Sequence, residues 1–260
     1  MIVGVFANFQ KELSKEILDK IVSVLKNEKI DWVLMNEKNK DSVKVNFLIT
    51  IGGDGTLLNV VEKVAKENLP VLGINCGRVG YLTEEVADNI HFAIKKIIDN
   101  DYFIEERHLV EAHFKDKIFY ALNDICLARS TFNIIDLSLY IDEVFAQEYR
   151  SDGIIIATAT GSTAYSLSAG GPIVEPQLGV MVVTPICPHS LSSRSLVLGD
   201  DRVVKIKSES DEVLVVSDGR VADTLKKGEY LECRISSKKL KLVRFKKKNF
   251  YEVLREKIKE

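Results

Sequence analysis

The most informative stretch of the chain reads FLITIGGDGTLLNVVEKVA and covers residues 47–65. It opens with a nearly continuous apolar run, which is typical of a parallel strand covered on both faces. A glycine-rich turn follows, and apolar residues then recur at helical spacing over residues 57–67. A strand, a tight turn and a helix in this order predict one βα unit of a layered α/β domain.

The same alternation continues on both sides of this unit. Strand-like runs are predicted at residues 2–7, 32–35 and 71–74, and helical spacing at residues 17–25 and 90–98. Alternating strands and helices favour right-handed crossovers and a parallel sheet. We therefore predict a doubly wound α/β domain at residues 1–101.

The pattern changes after about residue 101, where short strands separated by turn-prone pairs replace the helices. The predicted strands cover residues 103–114, 118–128, 134–141, 144–149, 203–206, 213–217, 230–235 and 240–245. This spacing predicts an all-β second domain, a sandwich, at residues 102–248. Helical spacing returns in the last segment, residues 249–260.

Charge and cysteine content exclude several classes of protein. The 260 residues carry a formal net charge of −2, so no basic excess favours nucleic acid or an anionic membrane. The N-terminus lacks the pattern of a secretory signal, and the longest uncharged stretch is too rich in Ser, Thr and Gly for a membrane span. The four cysteines are scattered without a CxxC pair, so we expect reduced thiols in a cytoplasmic protein.

The glycine-rich turn Gly52-Gly53-Asp54-Gly55-Thr56 is the sharpest local signal. Glycines before a helix allow a ligand to approach the backbone, and the free N–H groups there favour phosphate. A carboxylate is unusual in such a turn. Asp54 could cap the helix, hold a metal ion or accept a proton from an attacking hydroxyl. Neither the P-loop pattern nor the dinucleotide-binding GxGxxG pattern occurs at the expected place.

A second cluster lies in a stretch, residues 153–193, where Glu175 is the only charged residue. Hydroxyls and glycines alternate from Thr160 onward and could bind ribose and phosphate oxygens. Tyr165 could stack on a base. Just before the stretch, Arg150 could pair with a phosphate and Asp152 could bind a ribose hydroxyl or an amide.

Together these motifs resemble the NAD kinase family. The resemblance rests on GGDGT at residues 52–56, LND at 122–124, RSDG at 150–153, TGSTAYSLSAGGPI at 160–173, PHSLSSR at 188–194 and DG at 218–219. The motifs run in the family order, and the long TGSTAYS segment makes the match specific. GGDGT alone also occurs in lipid kinases and phosphofructokinases.

The resemblance implies phosphoryl transfer from ATP, or in some members polyphosphate, to the adenosine ribose 2′-hydroxyl of NAD. It also implies a divalent metal, usually Mg²⁺, and a homodimer or homotetramer whose NAD site borrows residues from a neighbouring subunit. The site would lie in a crevice between the domains, and the last helix would return to the first domain.

The resemblance further implies individual roles. Asp54 would be the catalytic base. The implied ligand-binding residues are Asp54, Gly55, Asn123, Asp124, Arg150, Asp152, Thr160, Thr163, Ala164, Tyr165, Ser166, Leu167 and Ser168; no residue is assigned as a metal ligand.

Two alternatives are kept. A diacylglycerol-type lipid kinase shares GGDGT, but it would not explain residues 160–173. A nucleotide sensor without turnover would explain the binding motifs. It would not explain why the carboxylate of Asp54 is retained.

Overall fold

The computed structural model describes residues 1–10, 13–77, 80–86, 89–247 and 249–258, with the backbone alone at residues 85–86 and 256–258. The chain divides into two compact units. The first comprises Met1–Glu106 with Leu240–Glu260, and the second comprises Arg107–Lys239. The predicted domain boundaries after residues 101 and 248 stay predictions, and the compact units divide after residues 106 and 239.

The first unit alternates strands and helices as predicted. Its elements are β1 (Ile2–Ala7), α1 (Leu13–Asn27), β2 (Asp31–Met35), β3 (Phe47–Gly52), α2 (Asp54–Leu58), α3 (Val61–Glu67), β4 (Pro70–Asn75), β5 (Glu85–Val86) and α4 (Ile90–Ile98). The helix predicted over residues 57–67 is therefore two helices. It starts earlier, at Asp54, and is interrupted at Asn59 and Val60.

The strands of the first unit form a parallel sheet in the order β2-β1-β3-β4, with β5 beside β4. The chain moves outward from β1 to β2 and then returns past β1 to β3. This reversal creates a switch point between β1 and β3, where α/β sheets commonly bind ligands at the carboxyl ends of the strands. The glycine-rich turn begins at Gly52, the last residue of β3.

Helices cover both faces of this sheet. Val3 and Ile49 point to one face, where they pack in a single buried cluster with Ile21 of α1 and Ala93 of α4. On the opposite face Leu57 of α2 packs closely on Gly73 of β4. A Cβ added at Gly73 would lie 3.3 Å from Leu57 Cδ1. The doubly wound arrangement is confirmed.

The second unit is rich in antiparallel strands. Its strands are β6 (Phe103–Phe114, which begins in the first unit), β7 (Lys117–Ala121), β8 (Asp124–Arg129), β9 (Ile135–Ile141), β10 (Val144–Ser151), β11 (Gly153–Thr158), β12 (Val180–Ile186), β13 (Leu196–Gly199), β14 (Val204–Ser208), β15 (Val213–Ser217), β16 (Arg220–Leu225) and β17 (Tyr230–Arg244, which ends in the first unit). One short helix, α5 (Tyr165–Ser168), follows a 3₁₀ turn at Gly161–Thr163.

These strands form two layers. One follows the order β10-β9-β14-β17-β6-β7, and the other follows β13-β12-β11-β8-β15-β16. Leu137 and Ile206 from the first layer share one buried cluster with Leu127, Ile154 and Val215 from the second. Alternate residues of both layers therefore point inward, and the predicted sandwich is confirmed.

Two strand predictions were wrong in detail. The run predicted over residues 118–128 is broken at Leu122 and Asn123. Their backbone N–H groups donate hydrogen bonds to the Asp218 carboxylate instead of to a neighbouring strand. The two strands predicted at 230–235 and 240–245 are instead the single strand β17. The polar residues between them continue the alternation of the strand. Ser236 is one of them, and its buried hydroxyl donates a 2.6 Å hydrogen bond to Glu111 of β6.

The chain ends in α6 (Phe250–Ile258), which belongs to the first unit. Across the described ranges, the helices are all too short or too polar to cross a membrane.

Candidate active site

Asp54 is the first residue of α2, but its carboxylate faces a different segment of the chain. It accepts hydrogen bonds from the backbone N–H groups of Tyr81 at 2.9 Å, Leu82 at 3.2 Å and Thr83 at 3.2 Å. Asp54 therefore organises residues 81–83, which are far away in sequence, and does not cap its own helix.

The segment that Asp54 holds is built for close approach. A Cβ at Gly80 would collide with an Asp54 carboxylate oxygen, so any larger residue there would force the carboxylate or the segment to move. The Thr83 hydroxyl accepts 3.0 Å hydrogen bonds from Gly80 N and from Nδ2 of Asn75, the last residue of β4. These contacts fix the segment beside the switch point. The sequence Gly77-Arg78-Val79-Gly80 is itself typical of a glycine turn, and its residues 78–79 lie outside the described residues.

The surroundings of Asp54 leave room for a ligand. An ionised carboxylate has about four acceptor sites, and the described hydrogen bonds of Asp54 use three of them. Gly55, the next residue, is exposed, and a Cβ added there would meet open space. This corner can accept one hydrogen bond from a hydroxyl while a ligand lies against the backbone.

In the second unit, a different carboxylate holds a different segment in the same way. Asp218 accepts hydrogen bonds from the N–H groups of Leu122 at 2.8 Å, Asn123 at 2.8 Å and Asp124 at 3.2 Å. Asp218 and Gly219 form the turn between β15 and β16 with φ of 44° and 78°. The Asp-Gly pair was recognised in the sequence, but the role of Asp218 was missed, since a hairpin turn is its ordinary reading.

Two carboxyl groups consequently lie close together in a partly dry environment. Burial and, to a smaller extent, the negative charge of Asp218 together raise the pKa of Asp124 to about 7. Burial also raises the pKa of Asp218 to about 6, although its three backbone hydrogen bonds act in the opposite direction. This pair therefore changes its protonation near neutral pH.

The hydroxyl-rich segment packs directly on the segment that Asp218 holds. The Thr158 hydroxyl donates 2.5 Å to the Leu122 carbonyl, and Thr158 N donates 2.9 Å to the Asn123 carbonyl. A Cβ at Gly161 would collide with that Asn123 carbonyl, which explains the glycine. The structure thus brings together two of the predicted motifs, LND and TGSTAYS.

Thr160 and Thr163 lie on this turn. The Thr163 hydroxyl donates 3.3 Å to the Thr160 carbonyl, and the Thr160 hydroxyl accepts from Arg107 Nη1 at 3.5 Å. Arg107 was not a sequence candidate, because an arginine at the start of a long strand shows no distinctive pattern.

Tyr165 follows and is 49% exposed as a residue, which a stacking surface requires. Partial burial raises the pKa of its phenol, and the nearby ionisable groups of Cys126, Cys187, Asp124 and Asp152 raise it further. Tyr165, Asp124 and Asp152 therefore lie within electrostatic range of one another. Asp152 also forms an ion pair with Arg129, whose Nε is 3.2 Å from its Oδ1.

The remaining candidates are placed differently. Arg150 is exposed and lies 4.0 Å from Asp136 on the neighbouring strand. Ser166 is fully buried, with its hydroxyl 3.0 Å from that of Thr184. Ser166 thus fixes the start of the short helix α5. The assigned ligand-binding roles of Ala164, Leu167 and Ser168 stay predictions.

Two family models match the chain. The ATP-NAD kinase N-terminal domain matches residues 4–102, and the ATP-NAD kinase C-terminal domain matches residues 122–245. The model boundaries follow the change from α/β to β-rich structure.

Whole-chain comparisons agree with these models. An NAD kinase of Caldicellulosiruptor saccharolyticus is 99% identical over 260 residues and 100% of both chains. An NAD kinase of Carboxydothermus hydrogenoformans is 36% identical over 97% of this chain and 98% of its own.

Two solved structures are similar over nearly the whole chain. Yeast NADH kinase complexed with NADH has a TM-score of 0.90 at 26% identity, covering 100% of this chain and 87% of that chain. An NAD kinase from Archaeoglobus fulgidus in complex with ATP has a TM-score of 0.80 at 28% identity, covering 98% of this chain and 99% of that chain. The lipid kinase and sensor alternatives are not favoured. The chain belongs to the NAD kinase family, and its activity is that of an NAD kinase.

Proposed function

We propose that the chain transfers a phosphoryl group from ATP to the 2′-hydroxyl of the adenosine ribose of NAD, with Asp54 as the catalytic base. The observation that carries this proposal is the geometry of the Asp54 carboxylate. Three backbone hydrogen bonds orient it, the contacts of the described residues leave one of its about four acceptor sites unused, and exposed Gly55 lies beside it. A base within hydrogen-bond reach of the attacking hydroxyl is what this step needs.

The donor phosphates would lie against the backbone of the glycine-rich turn. Phosphoryl transfer depends mostly on positioning and on stabilising charge. The N–H groups of Gly53 and Gly55 would provide both without a side chain, Gly53 by giving up its 3.4 Å hydrogen bond to the Thr56 hydroxyl. The open space at Gly55 leaves room for phosphate oxygens. The solved relative in complex with ATP supports ATP as the donor. Polyphosphate is the second donor to test.

NAD would bind the second unit through the residues that Asp218 and the hydroxyl-rich turn hold in place. Asn123 and Asp124 would fix the nicotinamide part through hydrogen bonds. Thr160, Thr163 and Tyr165 would hold the adenosine. The solved relative complexed with NADH supports a dinucleotide as the acceptor.

Mg²⁺ would accompany the donor and neutralise charge on its phosphates. In the described part of the chain, no group of three His, Cys, Asp or Glu side chains could hold a metal ion. Proteins commonly bind Mg²⁺ through substrate phosphates and few carboxylates. We therefore assign the ion to the phosphate oxygens of the donor and assign no protein ligand to it.

We further propose a closed homodimer or homotetramer in the cytoplasm. All four cysteines are free thiols, which supports a reducing compartment. Asp152 would reach the NAD of a neighbouring subunit. If it does, Asp54→Asn and Asp152→Ala chains, each inactive alone, should regain activity when subunits are exchanged.

The central experiment measures NADP formed from NAD with ATP or polyphosphate, with Mg²⁺ or with excess chelator. We expect turnover with ATP and Mg²⁺, and a large loss with chelator. Absence of NADP under all four conditions would contradict the proposed reaction. A monomer in light scattering, or no recovery after verified subunit exchange, would contradict the shared site.

A further inference from the structure

Arg244, the last residue of β17, is an unusually buried cation. Its side chain is 1% exposed and lies between two carboxylates, with Nη1 2.9 Å from Glu84 and Nε 2.5 Å from Glu105. Burying an ion pair is a weak source of stability, because desolvation offsets the attraction. A buried arginine with this many fixed contacts therefore suggests a further role.

The further contacts of Arg244 go to the segment that Asp54 holds. Nη1 donates 3.0 Å to the Leu82 carbonyl, and Nη2 donates 3.2 Å to the Tyr81 carbonyl. Residues 81 and 82 are thus held from two sides. Their N–H groups point to the Asp54 carboxylate, and their carbonyl groups point to the guanidinium.

We infer that Arg244 is a positioning residue that fixes the Asp54 carboxylate through the backbone of residues 81 and 82. The inference rests on the proposed role of Asp54 as the base. A guanidinium is planar and offers several donors in a fixed geometry, so it can hold two successive carbonyl groups at once. Hydrogen bonds in series also polarise one another, which strengthens the N–H donors that face Asp54.

The test is Arg244→Lys, which keeps the buried positive charge but loses the forked donors. Misplacing a reacting group by about 1 Å can cost about 10²-fold in rate, so we expect kcat to fall about tenfold. The KM values for NAD and ATP should change less than about twofold, because no proposed substrate contact is removed. Hydrogen exchange at the amides of residues 81–83 should become at least about tenfold faster, because the segment loses its second support.

Lys63→Met is the matched control. Lys63 is also a buried cation of the first unit, with Nζ 2.7 Å from the Val43 carbonyl and 2.5 Å from Glu67. This variant should lose stability but keep kcat within about twofold and leave exchange at residues 81–83 unchanged. Equal effects of Lys63→Met and Arg244→Lys on kcat would reduce Arg244 to a general stabilising residue and overturn the inference.

Two outcomes for Arg244→Lys overturn the inference directly: unchanged exchange at residues 81–83, or faster exchange with unchanged kcat. If Arg244→Lys does not fold, Glu105→Gln takes its place, since it removes the negative charge that faces Nε, weakens that hydrogen bond and leaves both carbonyl contacts. Exchange should then be a few times faster and kcat about threefold lower, and no change in either would contradict the inference. Asp54→Asn distinguishes failure of the proposed base from failure of the positioning inference. If that variant stays active, the proposed base fails; if it is inactive while Arg244→Lys behaves as wild type, only the positioning inference fails.

Discussion

Two segments of the molecule are held by the same device and used differently. Asp54 takes the three backbone N–H groups of residues 81–83, and Asp218 takes those of residues 122–124. In each case a carboxylate at a turn orders a segment that is remote in sequence. The neighbours of the two carboxylates are what differ.

The segment at residues 81–83 is supported by a buried arginine, whereas the segment at residues 122–124 contains an acidic residue of its own. Arg244 contacts the carbonyl groups of residues 81 and 82, whereas residues 122–124 carry the carboxyl group of Asp124 itself. Asp218 and Asp124 therefore oppose each other's ionisation, and burial raises the pKa of both. The first arrangement suits a fixed base for chemistry. The second suits a binding surface that responds to pH.

The largest effect is expected for Asp54→Asn. It removes the proposed base, which typically contributes about 10²–10⁴-fold, so NADP synthesis should fall at least about a hundredfold. Asp218→Asn makes the same chemical change at the other carboxylate and should mainly raise the KM for NAD. Steady-state kinetics on both variants check this, and an equal loss of kcat would mean that the two segments do not divide binding from chemistry.

Gly80→Ala should have the next largest effect. A Cβ there would collide with the Asp54 carboxylate, so either the carboxylate or the segment must move. We expect kcat to fall at least about tenfold, since small displacements of a base are costly. Gly77→Ala is the control, because among the described residues the nearest atom to its Cβ would be Asn75 Oδ1, at 3.9 Å. If kinetics show similar kcat values for both variants, the tight fit around Asp54 is unimportant.

Much of the fold could be predicted because local patterns determine it. The long strand β6 occupies residues 103–114 as predicted, since alternation and flanking turns define a strand without reference to the rest of the chain. The turn at Asp54 could also be predicted from adjacent residues, because glycines between a buried strand and a helix are typical of a turn that a ligand approaches closely. The two motifs of the second unit proved adjacent through Thr158 and Leu122.

The supports of the site could not be predicted. Asp218 lies 96 residues from Leu122, and Arg244 lies 160 residues from Glu84. Hydrogen bonds from a side chain to a distant backbone leave no periodic signal in either partner. The sequence marked Asp218 only as part of a family motif and Arg244 only as part of a predicted strand, so only the folded chain reveals what each one holds.

Tyr165→Ala tests whether the second unit contributes to the binding of NAD and not to the chemical step. Stacking of a base on an aromatic ring contributes about 1–3 kcal/mol, so loss of the half-exposed ring should raise the KM for NAD about tenfold. The KM for ATP should stay nearly constant, and kcat should change far less than in Asp54→Asn. Initial rates over a grid of NAD and ATP concentrations measure this. A change confined to the KM for ATP would assign Tyr165 to the donor.

The smallest expected effect is a pH-dependent change in stability at Asp124. Its pKa is raised from 3.8 in the unfolded reference to about 7 by burial and then by Asp218. The folded chain therefore binds the proton more tightly, and this contribution to stability is full below about pH 4 and is lost as pH rises through about 7.

Asp124→Asn should remove that loss. At pH 5 the folded wild type keeps the proton on Asp124 while the unfolded chain is mostly ionised there, so only part of the contribution is lost and the variant should melt only slightly above the wild type. At pH 8 the wild type holds a buried charge, and the variant should melt a few degrees higher, at about 2–4 °C per kcal/mol for a chain of this size. Asp136→Asn, at a more exposed carboxylate, should give the same Tm difference at both pH values. If Asp124→Asn also gives the same Tm difference at pH 5 and pH 8, the proton on Asp124 does not distinguish the second segment from the first.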